Sequence, residues 1–151
     1  MDSVIRQTGM SLMEVLVALL LFAVGVLGAV MLQLTALKHT DSALRSTQIN
    51  FIAHDLLERI RANPEGHYAL ASLERAPTSG NLNIARDQDL FDFADALRRI
   101  PGIDAQASVT VAGALATLSL SWDDSRAQGD DAPRQALTLS SLIRPLREVQ
   151  P

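Results

Sequence analysis

The chain has 151 residues, 48% of them apolar, with 13 Lys plus Arg against 17 Asp plus Glu, a formal charge of −4 and a pI near 5.2. That length suits one modest domain, and the acidic balance argues against a nucleic-acid-binding module, which needs a basic face for phosphates. The absence of cysteine excludes disulfide scaffolds, thiolate zinc sites and thiol nucleophiles, and four Phe, one Tyr and one Trp are too few to line an aromatic ligand pocket.

The first strong feature along the chain is Val15–Leu32, VLVALLLFAVGVLGAVML, eighteen residues without a polar side chain. At a rise of about 1.5 Å per residue this is roughly 27 Å of helix, close to the ~30 Å hydrocarbon thickness of a bilayer. A chain this short cannot surround so long a helix that is apolar on every side, so the segment is expected to span a membrane. A secretory signal would place a basic region, an apolar stretch of about 7–15 residues and a small-residue cleavage site here. Instead fourteen residues precede the run, and helix-compatible sequence follows it directly. Arg6 lies before it and Lys38 and Arg45 after it, so charge bias alone leaves the orientation open. Glu14 stands at the start of the run, where a carboxylate costs about 2.5–3.5 kcal/mol at mid-membrane depth and less near an interface. It is either a functional group in search of a partner or a carboxylate reaching into the headgroups.

The string TGMSLMEVLVALLLFAVGVLG, from Thr8 to Gly28, resembles the class III signal of type IV pilins and pseudopilins. That signature is a short polar leader ending in Gly, a hydrophobic residue, three more residues, Glu, and about twenty apolar residues. Gly9 matches the last leader residue, Met10 the first mature residue, and Glu14 the glutamate. Met10 departs from the phenylalanine usual in the family. Leu32–Tyr68 is further similar to minor pilins of the PilV type, through Leu32-Gln33, Arg45-Ser46 and above all Glu58-Arg59-Ile60-Arg61-Ala62-Asn63 followed by Tyr68.

The resemblance implies several things about processing and place. A prepilin peptidase would cut between Gly9 and Met10 and methylate the new amino terminus. The chain would sit in the inner membrane as a single-pass protein with a periplasmic carboxyl-terminal domain, and then pass into a pilus on the cell surface. Its partners would be other minor pilins, the major pilin, the prepilin peptidase, inner-membrane lipid and the inner-membrane assembly machinery. Glu14 would attract the cationic α-amino group of Met10 on a neighbouring subunit. In an apolar filament core that attraction is barely screened, so the pair would act as a register device.

Beyond the membrane the helix is expected to continue. Gln33–Ala62 contains no Pro or Gly and is rich in good helix formers. Ile49, Ile52, Leu56 and Ile60 form one stripe at helical spacing. Asn63-Pro64 stops the helix, because a residue before Pro is pushed away from α geometry. One helix from about Ser11 to Ala62 would be about 78 Å long. Asp41/Arg45 and Asp55/Arg59 stand at i,i+4 in the favourable order. They read either as solvated helix pairs or as signs of a helix buried on two sides.

Glu65–Arg86, with Gly66, Pro77 and Gly80, reads as a loop-rich connector. Asp87–Ile100, DQDLFDFADALRRI, reads as a short helix with acids early, Arg98-Arg99 late, and Leu90, Phe93, Ala94 and Leu97 on one face. Pro101-Gly102 ends it. Three strands follow, one with Val109 and Val111 alternating, one with Leu118, Leu120 and Trp122, and one with Leu137 and Leu139 reaching Ile143. Gly113 marks the first turn. An antiparallel sheet with one apolar face laid on the second half of the long helix buries both stripes.

The fold class expected is therefore α+β and pilin-like. Its parts would be a leader over 1–9, a transmembrane helix part over 10–34, a periplasmic amphipathic part over 35–63 and a globular domain over 64–151. No enzyme, metal or cofactor is expected. His54 and Glu58 share i,i+4 spacing but lack a third ligand, and His39 and His67 have no ligand pattern. Ser140-Ser141 lacks a nucleophile elbow, no Gly-rich phosphate loop is present, and Asp123, Asp124, Asp130 and Asp131 lack the spacing of a calcium loop. The function expected is that of a minor type IV pilin, a structural subunit that helps to prime or assemble a pilus for twitching motility and adhesion. The alternatives are a minor pseudopilin of type II secretion and a single-pass membrane adaptor or sensor.

Overall fold

A computed structural model of the chain describes residues 11–125 and 134–143. Helix α1 runs unbroken over Leu12–Ala62, 51 residues, and ends where Asn63-Pro64 was expected to end it. The chain divides into two compact units at His39 and Thr40.

The first unit contains the apolar half of α1. Every residue from Leu12 to Leu37 is exposed, Leu21, Phe22 and Leu32 by two thirds or more. The helix is long and apolar enough to cross a membrane. Water is a poor solvent for such a surface, and an apolar environment would suit it.

The second unit is an α+β domain. Its elements are the end of α1, a short 3₁₀ turn η1 (Leu73–Arg75), helix α2 (Ala85–Arg98), and strands β1 (Ala105–Ala112), β2 (Leu115–Trp122) and β3 (Gln135–Leu142). The strands form an antiparallel sheet in the order β1-β2-β3. The registers pair Val109 with Leu118 and Leu118 with Leu139. Gly113 turns β1 into β2 at φ 60°, and Gly102 follows α2 at φ 65°. Both angles lie in the left-handed region that a glycine enters without steric cost.

The core is the meeting of three apolar faces. Ile49, Ala53, Leu56, Leu57 and Ile60 come from α1; Leu90, Phe93, Ala94 and Leu97 from α2; Ala107, Val109, Leu118, Leu120 and Trp122 from the sheet. Each large side chain buried there stabilises the fold by about 1.5–3 kcal/mol. Ile52, expected in the stripe, is only half-buried, while Ala53 and Leu57 are fully inside. The buried face therefore lies slightly around the helix from the isoleucine spacing.

The connector 65–86 is more ordered than its composition implies. It carries η1, and Leu70 forms an isolated antiparallel bridge with Val109 of β1. Tyr68 is completely buried. The second helix starts two residues earlier than expected, at Ala85 rather than Asp87, behind Ile84, whose side chain caps nothing.

Candidate functional site

Two places were singled out by the sequence: the start of α1 and the Glu58–Tyr68 segment. Gly9 and Met10 lie outside the described residues. Glu14 is the third residue of α1 and is exposed. Ahead of it, the Ser11 carbonyl accepts from Glu14 N–H at 2.9 Å and from Val15 N–H at 3.3 Å. The Ser11 hydroxyl also accepts from Glu14 N–H, at 3.2 Å. Ser11 is thus the N-cap of the helix, and Ser11-x-x-Glu14 has the spacing of a capping box. The sequence carries the signal for this role, Ser-x-x-Glu ahead of an apolar run, beside the more conspicuous Gly9-Met10-x-x-x-Glu14 pattern. At this position the Glu14 carboxylate also faces the positive end of the helix dipole, which stabilises it.

The Glu58–Tyr68 segment closes on α2. Arg59 donates to Asp55 at 2.8 Å one turn back, to Asp89 at 3.0 Å and to Asp92 at 3.4 Å, the last two on α2. The Asp55/Arg59 pair is therefore more than a solvated helix pair: its arginine ties two helices together. The hydrogen bond to Asp89, and after it that to Asp55, holds the guanidinium pKa above its ordinary value. Tyr68 donates its hydroxyl proton to Asp89 at 2.6 Å and accepts from the Asn63 amide at 3.1 Å. Burial, and then the bond to Asp89, pushes the phenol up to about 12. Asn63 and Tyr68 thus fasten the chain just after the helix stop, and Asp89 joins both anchors.

The remaining candidates are tethers. Arg61 donates to Glu58 at 2.7 Å and to the Ser141 hydroxyl at 2.8 Å, so it holds the end of β3 to α1. Glu58 is engaged there, and His54 beside it is exposed. Asp41 pairs with Arg45. Ser42 donates to Asp124 at 2.5 Å, fixing the end of β2 to α1, and Asp124 is buried. Asp130 and Asp131 lie outside the described residues. Among the described residues no three His, Asp or Glu side chains converge as metal ligands.

One surface stands out for its chemistry. Leu44 and Phe51, seven residues apart on α1, are 60% and 73% exposed, on the side of the helix away from Ile49, Leu56 and Ile60. Phe51 and Ile52 border an open, mainly apolar groove of about 380 Å³ whose other side is formed by Ile100 and Pro101, with Gln48 and Arg99 at its rim. The two-turn spacing puts Leu44 and Phe51 on one face of the helix, which the described residues of the domain leave largely exposed.

Compared with models of protein families, with curated proteins and with solved structures, the chain matches none.

Proposed function

We propose that this chain is a minor type IV pilin of the PilV type, a structural subunit without enzymatic activity that is stored in the inner membrane and then built into a pilus. The observation that carries the reading is the pattern Gly9-Met10-x-x-x-Glu14 at the mouth of a helix exposed over its whole apolar length. That helix runs on, without a break, into a small α+β domain.

The physical logic of such a subunit follows from these parts. Lipid covers Leu12–Leu37 in storage, and the helices of other subunits replace it in the filament; both environments are apolar, so the exchange costs little hydrophobic free energy. Polar groups then set the geometry. Cleavage after Gly9 would create an ammonium at Met10, and Glu14 of a neighbour is its natural counter-charge. A subunit shifted along the bundle leaves both charges unpaired in an apolar core, at a cost of several kcal/mol. The bare Leu44–Phe51 face offers the domain a lateral apolar contact.

Glu14→Ala tests this reading. The variant should accumulate in the membrane near the wild-type level, since removing a carboxylate eases insertion. Its incorporation into sheared pili should fall about tenfold or more, because the neighbour's ammonium loses its partner. Equal incorporation of variant and wild type would defeat the assembly role of Glu14.

A further inference from the structure

The sheet has two edges, and among the described residues only the β1 edge meets another segment. On the β1 side, Leu70 and Val109 exchange both backbone hydrogen bonds, at 2.9 and 2.8 Å. β3 forms the other edge. Ile143 N–H donates to Ala114 O at 2.6 Å, just beyond the last register pair, Leu115 with Leu142. Antiparallel ladders alternate, so the odd-numbered residues of β3 bond inward to β2. The N–H and C=O groups of Ala136, Thr138, Ser140 and Leu142 point away from the sheet, and among the described residues they meet no partner. All four residues are exposed.

The strand itself carries no device that blunts this edge. Its eight residues, QALTLSSL, contain no charge and no Pro, and the register with β2 runs without a bulge. Sheet edges that face water are normally protected by such devices, because a row of open backbone groups recruits another strand. Leu142 adds an exposed apolar side chain at 61%.

We propose that the β3 edge accepts an added strand: an extended segment of a neighbouring subunit, uncharged where it faces β3 and anchored in the same membrane by the same end. Only extended backbone presents donors and acceptors at the alternate spacing of Ala136, Thr138, Ser140 and Leu142. A facing charge would find no counter-charge anywhere along QALTLSSL. A two-fold pairing of β3 with itself fails on direction. Its axis would stand normal to the sheet and would turn the packed α1 residues Ile49–Ile60 end for end. The Thr40 ends of the two domains, from which each chain leads back to its apolar segment, would then point in opposite directions, against the shared anchorage that the pilin reading implies. The proposal rests on the pilin reading for that shared anchorage.

The test uses the full-length chain in cells, with a benzophenone amino acid replacing Ala136 for photocrosslinking. An adduct with a different subunit is expected, mapping to an extended segment. Thr138→Pro removes one outward N–H and no bond to β2, while Thr138→Lys puts a charge on the edge. Each should lower the adduct yield about tenfold, with the unfolding midpoint of the detergent-solubilised chain unchanged. Should Thr138→Pro also lower that midpoint, the lysine variant decides. Leu139→Pro, which removes an inward bond, serves as the unfolding control. No adduct in the parent, a yield untouched by Thr138→Lys, or an adduct only with a second copy through Ala136 would overturn the proposal. The amino terminus is sequenced in the same samples. An adduct from chains not cut after Gly9 would retain strand addition and reject the pilin reading, and cut chains without an adduct would do the reverse.

Discussion

Substituting Ser11 by alanine is expected to cost the first turn of α1 about 1 kcal/mol, the usual worth of an N-cap. Backbone amide exchange at Glu14, followed in detergent micelles, should then quicken by roughly fivefold, and Ser11→Thr should restore it. An unchanged rate in Ser11→Ala would mean that the hydroxyl does not hold the helix start. Tyr68 offers a second measurement on a single group, since it is the only tyrosine in the chain. Its phenol is raised to about 12 in the fold, against about 10 in an unfolded chain. Between those values the folded state holds a proton that the unfolded state has lost. Stability from this group is complete below about pH 10 and declines as the pH rises toward about 12. Phenolate absorbance should titrate near 12 in the native protein and near 10 in denaturant. Tyr68→Phe should abolish that decline and cost about 1 kcal/mol by removing one donor from Asp89.

At the scale of elements, the two faces of α1 after Thr40 carry different loads. Ile49, Leu56 and Ile60 hold the domain together, so Leu56→Ala should cost about 2–5 kcal/mol in urea unfolding. Phe51, on the bare face, should behave otherwise. Phe51→Ser should leave unfolding within about 0.5 kcal/mol of the parent, yet reduce recovery of the chain in sheared pili. A large loss of stability would place Phe51 in the core instead. How much of this was legible depended on range. The long helix and its stop were plain, because Val15–Leu32, the Pro-free stretch after it and Asn63-Pro64 are local signals. The strand centres were equally plain from their alternation. Their ends were not: Ala105-Gln106-Ala107 lacks branched residues and is extended because Trp122, Ser121 and Leu120 pair with it. The start of α2 was missed for a similar reason, since Ile84 gives no capping signature. The Leu70–Val109 bridge and the meeting of Arg59 and Tyr68 on Asp89 join positions 20 to 40 residues apart, which no local pattern discloses.

At the scale of the whole molecule, the charge lies in one of the two units. From Thr40 onward the chain carries 11 basic and 15 acidic side chains, a formal −4, while Met1–His39 balances Arg6 and Lys38 against Asp2 and Glu14. The 48% apolar content is shared between a modest core and a helix that is exposed along its apolar length. The domain has no cysteine, so packing and the Arg59–Asp89–Tyr68 tie hold it without a disulfide. Deleting the protein should remove surface pili and twitching; loss of exoprotein release with pili intact would indicate a secretion pseudopilin instead. The most direct test of the account is the mass of the amino-terminal peptide of the chain purified from membranes. The expected peptide begins at Met10, bears one added methyl group on its α-amino nitrogen, and lacks Met1–Gly9. An intact Met1, or a cut at any other bond, would contradict it.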